Sequence, residues 1–185
     1  MGQTDVELMR SWRRGDPSAF EALVSRWQEP VGRFLARLAG PAAAADLTQD
    51  TFLRLYQAGP RYREEGAFRT WLYRIALSAA RDAGRRRRLS VVPLPAEELP
   101  AAPGPADADC GRRELAEAVA AALAELPPPQ REAVVLRHYE ELSFEDMARL
   151  LGVSASTLKS RFAAALLRLQ ERLREWGFAP EESAP

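Results

Sequence analysis

A chain of 185 residues, 46% hydrophobic and 28% charged, has the composition of one ordinary globular domain or two small ones. Its 26 basic and 26 acidic residues give zero net charge, and it has a single cysteine and a single histidine; an internal disulfide framework, a cysteine-based zinc site and a histidine metal cluster are excluded. No apolar run is long enough to span a membrane and the amino terminus lacks a signal-peptide layout, which points to a cytoplasmic protein with no membrane insertion.

The zero net charge hides an asymmetry. Residues 1–90 carry a net +6, residues 91–125 a net −5 and residues 126–185 a net −1, and 25 of the basic residues are arginine. A local excess of positive charge is compatible with a polyanionic partner where a neutral total is silent.

In chain order, Thr4 with Glu7 forms a capping box for a first helix that Gly15 ends. Asp16 and Pro17 open a second, in which Phe20, Leu23, Val24, Trp27, Val31, Phe34, Leu35 and Leu38 recur at helical spacing. Pro30 is expected to kink it, and Gly40-Pro41 to stop it. A third helix is predicted over about 42–58 and a fourth over about 67–88. Residues 89–111 contain Pro93, Pro95, Pro100, Pro103 and Pro105 with no period, so they read as a linker. Beyond it, Leu115, Val119 and Leu123 share a helix face, Pro127 to Pro129 break the chain, and Pro129 suits the start of the next helix. Ser143 and Asp146 cap a short helix, and Gly152 suits the left-handed position that ends it. Ser154 caps a long last helix with Leu158, Phe162, Ala165, Leu166, Leu169 and Leu173 expected inward. No segment alternates at period two. The expected fold is all-α: two helical modules, 1–88 and 112–178, joined by a flexible proline-rich linker at 89–111.

Three surfaces stand out. The short and long helices around Gly152-Val153-Ser154 have the spacing of a helix-turn-helix. With Leu158 inward, Ser156, Thr157, Ser160, Ala163 and Ala164 point outward and Lys159 and Arg161 flank them, small and cationic groups suited to base edges and phosphates. A helical hairpin with a solvated face is the competing reading. On the fourth helix, Thr70, Arg74, Ser78, Arg81, Arg85 and Arg88 form a stripe opposite Phe68, Trp71, Leu72, Ile75 and Ala79, continued by Arg86 and Arg87. A stripe with four arginines and no acid favours a phosphate-tracking surface over a merely soluble one. Before it, Tyr62 sits between Arg61 and Arg63; it could stack on an unpaired base or belong to a surface turn. On the third helix Asp46, Gln49, Asp50 and Gln57 surround Leu53 opposite Leu47, Thr51, Phe52 and Leu55, a face suited to a protein partner.

At these residues the chain resembles the extracytoplasmic-function (ECF) sigma factors, minimal members of the sigma-70 superfamily. DLTQDTFLRLY at 46–56, FRTWLYRIA at 68–76, and the run from Leu126-Pro127 through SFEDMA at 143–148 to TLKSR at 157–161 carry the resemblance, which covers both modules in order.

The resemblance implies that the segment at 46–59 docks on the β′ clamp of core RNA polymerase, through Asp46, Gln49, Asp50, Leu53 and Gln57. It implies that Thr70, Arg74, Ser78, Arg81, Arg85 and Arg88 contact and open the minus-ten element of promoter DNA. The loop with Tyr62 and Arg63 would capture a flipped base. Ser154, Ser156, Thr157, Lys159, Ser160, Arg161 and Ala164 would read the minus-thirty-five element, in a module that meets the β flap. It further implies an anti-sigma partner, as relatives commonly have, and no catalytic residue, metal, cofactor or small-molecule substrate. Ser78 stands where many relatives carry asparagine, Asp50 where glutamate is commoner, and Ala164 and Leu166 where arginines are frequent. Two rivals fit less well. A classical helix-turn-helix regulator needs a sensor half, which residues 1–90 do not resemble, and an enzyme needs a cluster of reactive side chains in a cleft.

Overall fold

The computed structural model describes residues 3–62, 68–89 and 109–178. Among them every regular element is helical: α1 (Asp5–Arg13), α2 (Pro17–Ala39), α3 (Pro41–Ala58) with a 3₁₀ turn at Gly59–Arg61, α4 (Phe68–Leu89), α5 (Asp109–Glu125), α6 (Pro128–Val134) running into a π-helical turn at Val135–Tyr139, α7 (Phe144–Leu151) and α8 (Ala155–Glu175). The chain is all-α, as expected. The expected linker falls mostly on residues 90–108, outside the described residues.

Local chemistry sets the helix starts. Thr4 Oγ accepts from Glu7 N while Glu7 Oε2 accepts from Thr4 N at 2.7 Å, closing the capping box. Asp16 Oδ1 accepts from Ser18 N at 3.0 Å ahead of Pro17. Helix α2 runs through Pro30, the position expected to kink it, and ends at Ala39 ahead of Gly40-Pro41 as expected. Gly40, at φ 90°, then turns the chain so that α3 folds back on α2, with Pro41 as its first residue.

The amino-terminal core is built where α1, α2, α3 and α4 meet: Met9, Leu23, Phe34, Leu35, Leu55 and Leu72 are buried, together with Tyr73. Phe34 and Tyr73 have ring centroids 4.7 Å apart, and the Trp27 ring meets Tyr73 edge-on. Thr51 is the polar member of this core; its hydroxyl donates to Leu47 O at 2.7 Å and so is not left unsatisfied. In the carboxy-terminal half, α8 lies against α5, α6 and α7, with Leu123, Val134, Met147, Leu150, Leu158 and Ala165 buried.

The two halves are docked on each other rather than held apart. Leu136, Leu142, Met147 and Leu150 continue the apolar cluster that begins with Leu23 and Phe34. This explains why α4 buries more than the single face expected: Tyr73, Ala76 and Leu77 join Phe68, Leu72 and Ala79, because α7 covers the side that α2 and α3 do not. Trp71 and Ile75 are half-buried. Leu166, expected inward, is 46% exposed, since α5 and α7 flank α8 without covering that direction.

One close approach requires glycine. A Cβ on Gly59 would lie 1.8 Å from Cζ3 of Trp12, so only glycine lets α1 lay its indole across the end of α3. Trp12 there joins Phe20 and Tyr56 in a three-ring cluster. Gly59→Ala should destabilise the chain by about 1–3 kcal/mol, the usual range for overpacking, and Trp12→Leu in the same chain should restore part of the loss. Unchanged thermal melting of Gly59→Ala would show that the indole moves aside at no cost.

Candidate nucleic-acid and polymerase interface

The outer face of α3 is exposed as expected. Asp46, Gln49 and Gln57 are in solvent and Leu53 is 57% exposed. Asp50 differs: it is half-buried and paired with Arg54, whose Nη2 lies 2.9 Å from Oδ2. Arg54 Nη1 also reaches Asp82 of α4 at 2.7 Å. Arg54 hydrogen bonds hold the Asp82 carboxyl below its ordinary value, and Asp50 and Asp82 together raise the Arg54 guanidinium. Arg54 thus ties α3 to α4. Its position four residues after Asp50 was a legible pairing signal, whereas Asp82, 28 residues away, was not. Tyr56 extends the exposed apolar surface beside Leu53.

The stripe on α4 needs two corrections. First, it does contain an acid: Asp82 pairs with Arg85 as well as Arg54. Second, much of it faces the other half of the chain. Arg81 forms a two-pronged ion pair with Glu132 of α6, Nε to Oε1 at 2.8 Å and Nη2 to Oε2 at 2.6 Å. Arg74 Nη2 donates to Arg149 O at 2.9 Å. Ser78 and Arg85 remain exposed and Thr70 half-exposed, so the stripe is partly free and partly occupied. Arg69, one residue before Thr70, donates to Glu140 O and lies 3.7 Å from its carboxylate. Arg63 and the Arg88 side chain lie outside the described residues.

Tyr62 is not available for base stacking. It is buried between Phe68 and Trp71, with centroids 6.1 and 4.8 Å away, because the 3₁₀ turn at Gly59–Arg61 directs the chain back under the start of α4. Aromatic packing competes with solvent exposure at such a position, and the alternation Arg-Tyr-Arg alone could not show which wins.

The helix-turn-helix has the expected geometry. Ser143 Oγ accepts from Asp146 N at 3.0 Å, and Gly152 sits at φ 69°, ψ 29°, the left-handed conformation that ends α7. Ser154 Oγ accepts from Thr157 N at 3.1 Å and starts α8. Ser154, Ser156, Thr157, Lys159 and Ser160 are exposed together at the start of α8. Arg161 is half-exposed, and Ala164 sits on the half-buried flank rather than outward, as its position one residue before the buried Ala165 dictates. Lys159 Nζ is 5.8 Å from the Phe144 ring centroid.

Comparison with known proteins identifies this pair of modules. Residues 23–89 match the family model for sigma-70 region 2, and residues 116–169 the model for sigma-70, region 4. The chain is 39% identical to the RNA polymerase sigma factor CarQ of Myxococcus xanthus, over 90% of its length and 96% of CarQ. It is 30% identical to the ECF RNA polymerase sigma-E factor of Haemophilus influenzae, over 92% of its length and 96% of that protein. The chain belongs to the ECF sigma factors. A solved structure of CnrH in complex with the cytosolic domain of CnrY shares its fold at a TM-score of 0.69 and 27% identity, covering 92% of this chain and 97% of that one.

Within region 2 of this sigma factor, α2, α3 and α4 hold the α3 face and the arginine stripe; within region 4, α7 and α8 hold the helix-turn-helix. Residues missed from the sequence are those that act across the chain: Arg69, Glu132, Glu140 and Arg131. None has a local partner at helical spacing that would have singled it out.

The cap at Ser143 yields a test. Its hydroxyl hydrogen bond is the main cause, with Arg149 second, that holds the Asp146 carboxyl below its ordinary value. A lowered folded pKa contributes stability above the unfolded value near 3.9, lost as pH falls through the folded value. Ser143→Ala should cost about 1 kcal/mol near pH 7 and raise the Asp146 carboxyl back toward its ordinary value. An unmoved carboxyl titration by NMR would show that Arg149 alone sets it.

Proposed function

We propose that this sigma factor is the dissociable subunit that binds core RNA polymerase and directs it to promoters, with no chemistry of its own. The observation that carries the reading is one chain bearing both region 2, with an exposed polar face around Leu53, and region 4, with exposed small, hydroxyl and cationic residues at the start of α8. The roles are divided by surface. Asp46, Gln49, Leu53 and Gln57 dock on the polymerase clamp, with Asp50 held by Arg54 at the edge of that face. Thr70, Arg74, Ser78, Arg81, Arg85 and Arg88 track the minus-ten strand. Ser154, Ser156, Thr157, Lys159, Ser160 and Arg161 read the minus-thirty-five element, with Ala164 at its margin. Strand opening draws on differential binding: phosphates and bases of an opened strand gain contacts that closed duplex lacks.

The working place is the cytoplasm, with core polymerase and promoter DNA as partners; none of the described helices is long and apolar enough to cross a membrane. An anti-sigma protein is a further partner, on the precedent of CnrH with the CnrY cytosolic domain.

Leu53→Arg should weaken core binding by about tenfold while leaving thermal stability within ~0.5 kcal/mol, since surface changes disturb folding little. Normal pull-down of core polymerase by this variant would remove the docking role from α3. On the DNA side, Arg74→Glu with Arg85→Glu should lower promoter opening at least about tenfold, the loss expected when charge-assisted contacts become repulsive, with core binding intact. Persistent permanganate reactivity of unpaired thymines would reduce the stripe to a solvated face. Lys159→Ala should lessen the slope of log affinity against log salt for holoenzyme on duplex by about 0.9, the value of one phosphate contact. An unchanged slope would place Lys159 off the backbone.

A further inference from the structure

The seam between regions 2 and 4 is incompletely filled, and one of its clefts differs from its neighbours in chemistry. Clefts of about 390 and 580 Å³ both have Arg81 and Glu132 in their walls, so a cation there already faces a carboxylate. A cleft of about 490 Å³ lies between the end of α2 and α5, beside Tyr139 of the π-helical turn. Ala36 and Pro41 line one side of it, and Val119, Ala120 and Leu123 the other. Its charged wall residues are Arg37 and Arg131, and no aspartate or glutamate is among the residues that line it.

Neither guanidinium has an acidic partner among the described residues. Half-buried Arg37 lies 4.1 Å over the Tyr139 ring, a contact that uses its flat face and leaves the N–H donors around its edge to other acceptors. Arg131 donates from Nη1 to Leu38 O at 2.8 Å and from Nη2 to Leu126 O at 3.1 Å, while its Nε is buried without a hydrogen-bond partner. Burial lowers the Arg131 guanidinium from its usual value, and no carboxylate offsets the shift. Positive charge beside an apolar wall, where the effective dielectric is low, attracts an anion more strongly than the same charge in water. The walls also select among anions. A nucleotide or a polyphosphate brings several charges and polar ring atoms that these side chains cannot satisfy. A flexible apolar chain with one negative head matches both the trough and its cationic end, and the volume is within the range of small-molecule sites.

We propose that this cleft is a binding site for a free medium-chain alkyl carboxylate, with the alkyl chain between α2 and α5 and the carboxylate on the guanidinium of Arg37, in the field of Arg131. The carboxylate offers that guanidinium a pair of acceptor oxygens, the geometry its N–H fork fits best. None of the residues assigned above to polymerase or promoter lines the cleft, so the site is separate from those surfaces and stands whether or not their assignments hold.

The test is calorimetric titration of the full chain with decanoate, paired with thermal melting. Decanoate should bind at a single site with a dissociation constant of roughly 100 μM or tighter, within the per-atom limits for a ligand of this size. At about ten times that constant it should raise the melting temperature by a few degrees, because it binds the folded chain and not the unfolded one. Octanoate, shorter by two methylenes, should bind roughly 15-fold more weakly, the fold-change for about 0.8 kcal/mol per buried methylene. Decylamine, with the same chain length and a positive head, should bind at least about tenfold more weakly than decanoate. Arg37→Ala should weaken decanoate about tenfold, the loss of one charge-assisted contact, without weakening decylamine. Ala120→Trp, at an exposed position on the cleft wall, should fill the trough and abolish binding, whereas Ala121→Trp, exposed on the next residue and outside the cleft, should not. Should Ala120→Trp fold poorly, Arg37→Ala decides. The proposal is overturned by the absence of both binding heat and a melting shift, by equal affinity for decylamine, or by decanoate binding that survives Arg37→Ala and Ala120→Trp, which would be adsorption elsewhere on the chain.

Discussion

Helix α4 is core on one side and a row of arginines on the other, and the rest of the chain is arranged around that constraint. Leu72, Tyr73, Ala76 and Ala79 bury it in region 2. Its other side carries arginines close enough to repel one another, which like charges at helical spacing do. Asp82 offsets part of this by pairing with Arg85 and, through Arg54, with Asp50 of α3. Glu132 offsets more from region 4. The stripe is therefore kept by counter-charges drawn from several elements of both modules.

How much of this was legible in the sequence divides along the distance over which a signal acts. Caps are local: Thr4 with Glu7, Asp16 with Pro17, Ser143 with Asp146 and Ser154 each sit at the helix starts observed. So is the left-handed Gly152. The exposed face of α3 followed from helical period alone. What periodicity could not supply was the second surface of α4. A helix flanked on both sides shows a period distorted by residues such as Tyr73 and Leu77, and the covering element, α7, lies some 70 residues away in the chain. Tyr62 failed for a related reason: a lone aromatic between arginines carries no period, so its burial against Trp71 is decided by the turn that precedes it.

The charge asymmetry takes on a different meaning once the halves are seen together. The excess of arginine in residues 1–90 pointed to nucleic acid, and in part it is satisfied within the chain, by Glu132 and by the carbonyls of Glu140 and Arg149. Arginine suits both uses. Its planar fork donates to a carboxylate or a phosphate with the same geometry and stays charged when half-buried, whereas a lysine in the Arg81 position would lack that two-pronged fit to Glu132.

The chemistry of the seam also limits how firmly it can hold. A pair such as Arg81 with Glu132, half-exposed at the guanidinium and buried at the carboxylate, stabilises little in net terms, because solvent screens the arginine and desolvating the carboxylate offsets part of the attraction. Its contribution is registry: Arg131 is fixed on the end of α2, and Glu140 lies beside Tyr73. Apolar burial along the seam, from Leu142 and Met147, acts in the opposite sense and favours closure without choosing an orientation. The two kinds of contact divide the work along the seam: apolar side chains supply the attraction, and the ion pairs decide the fit.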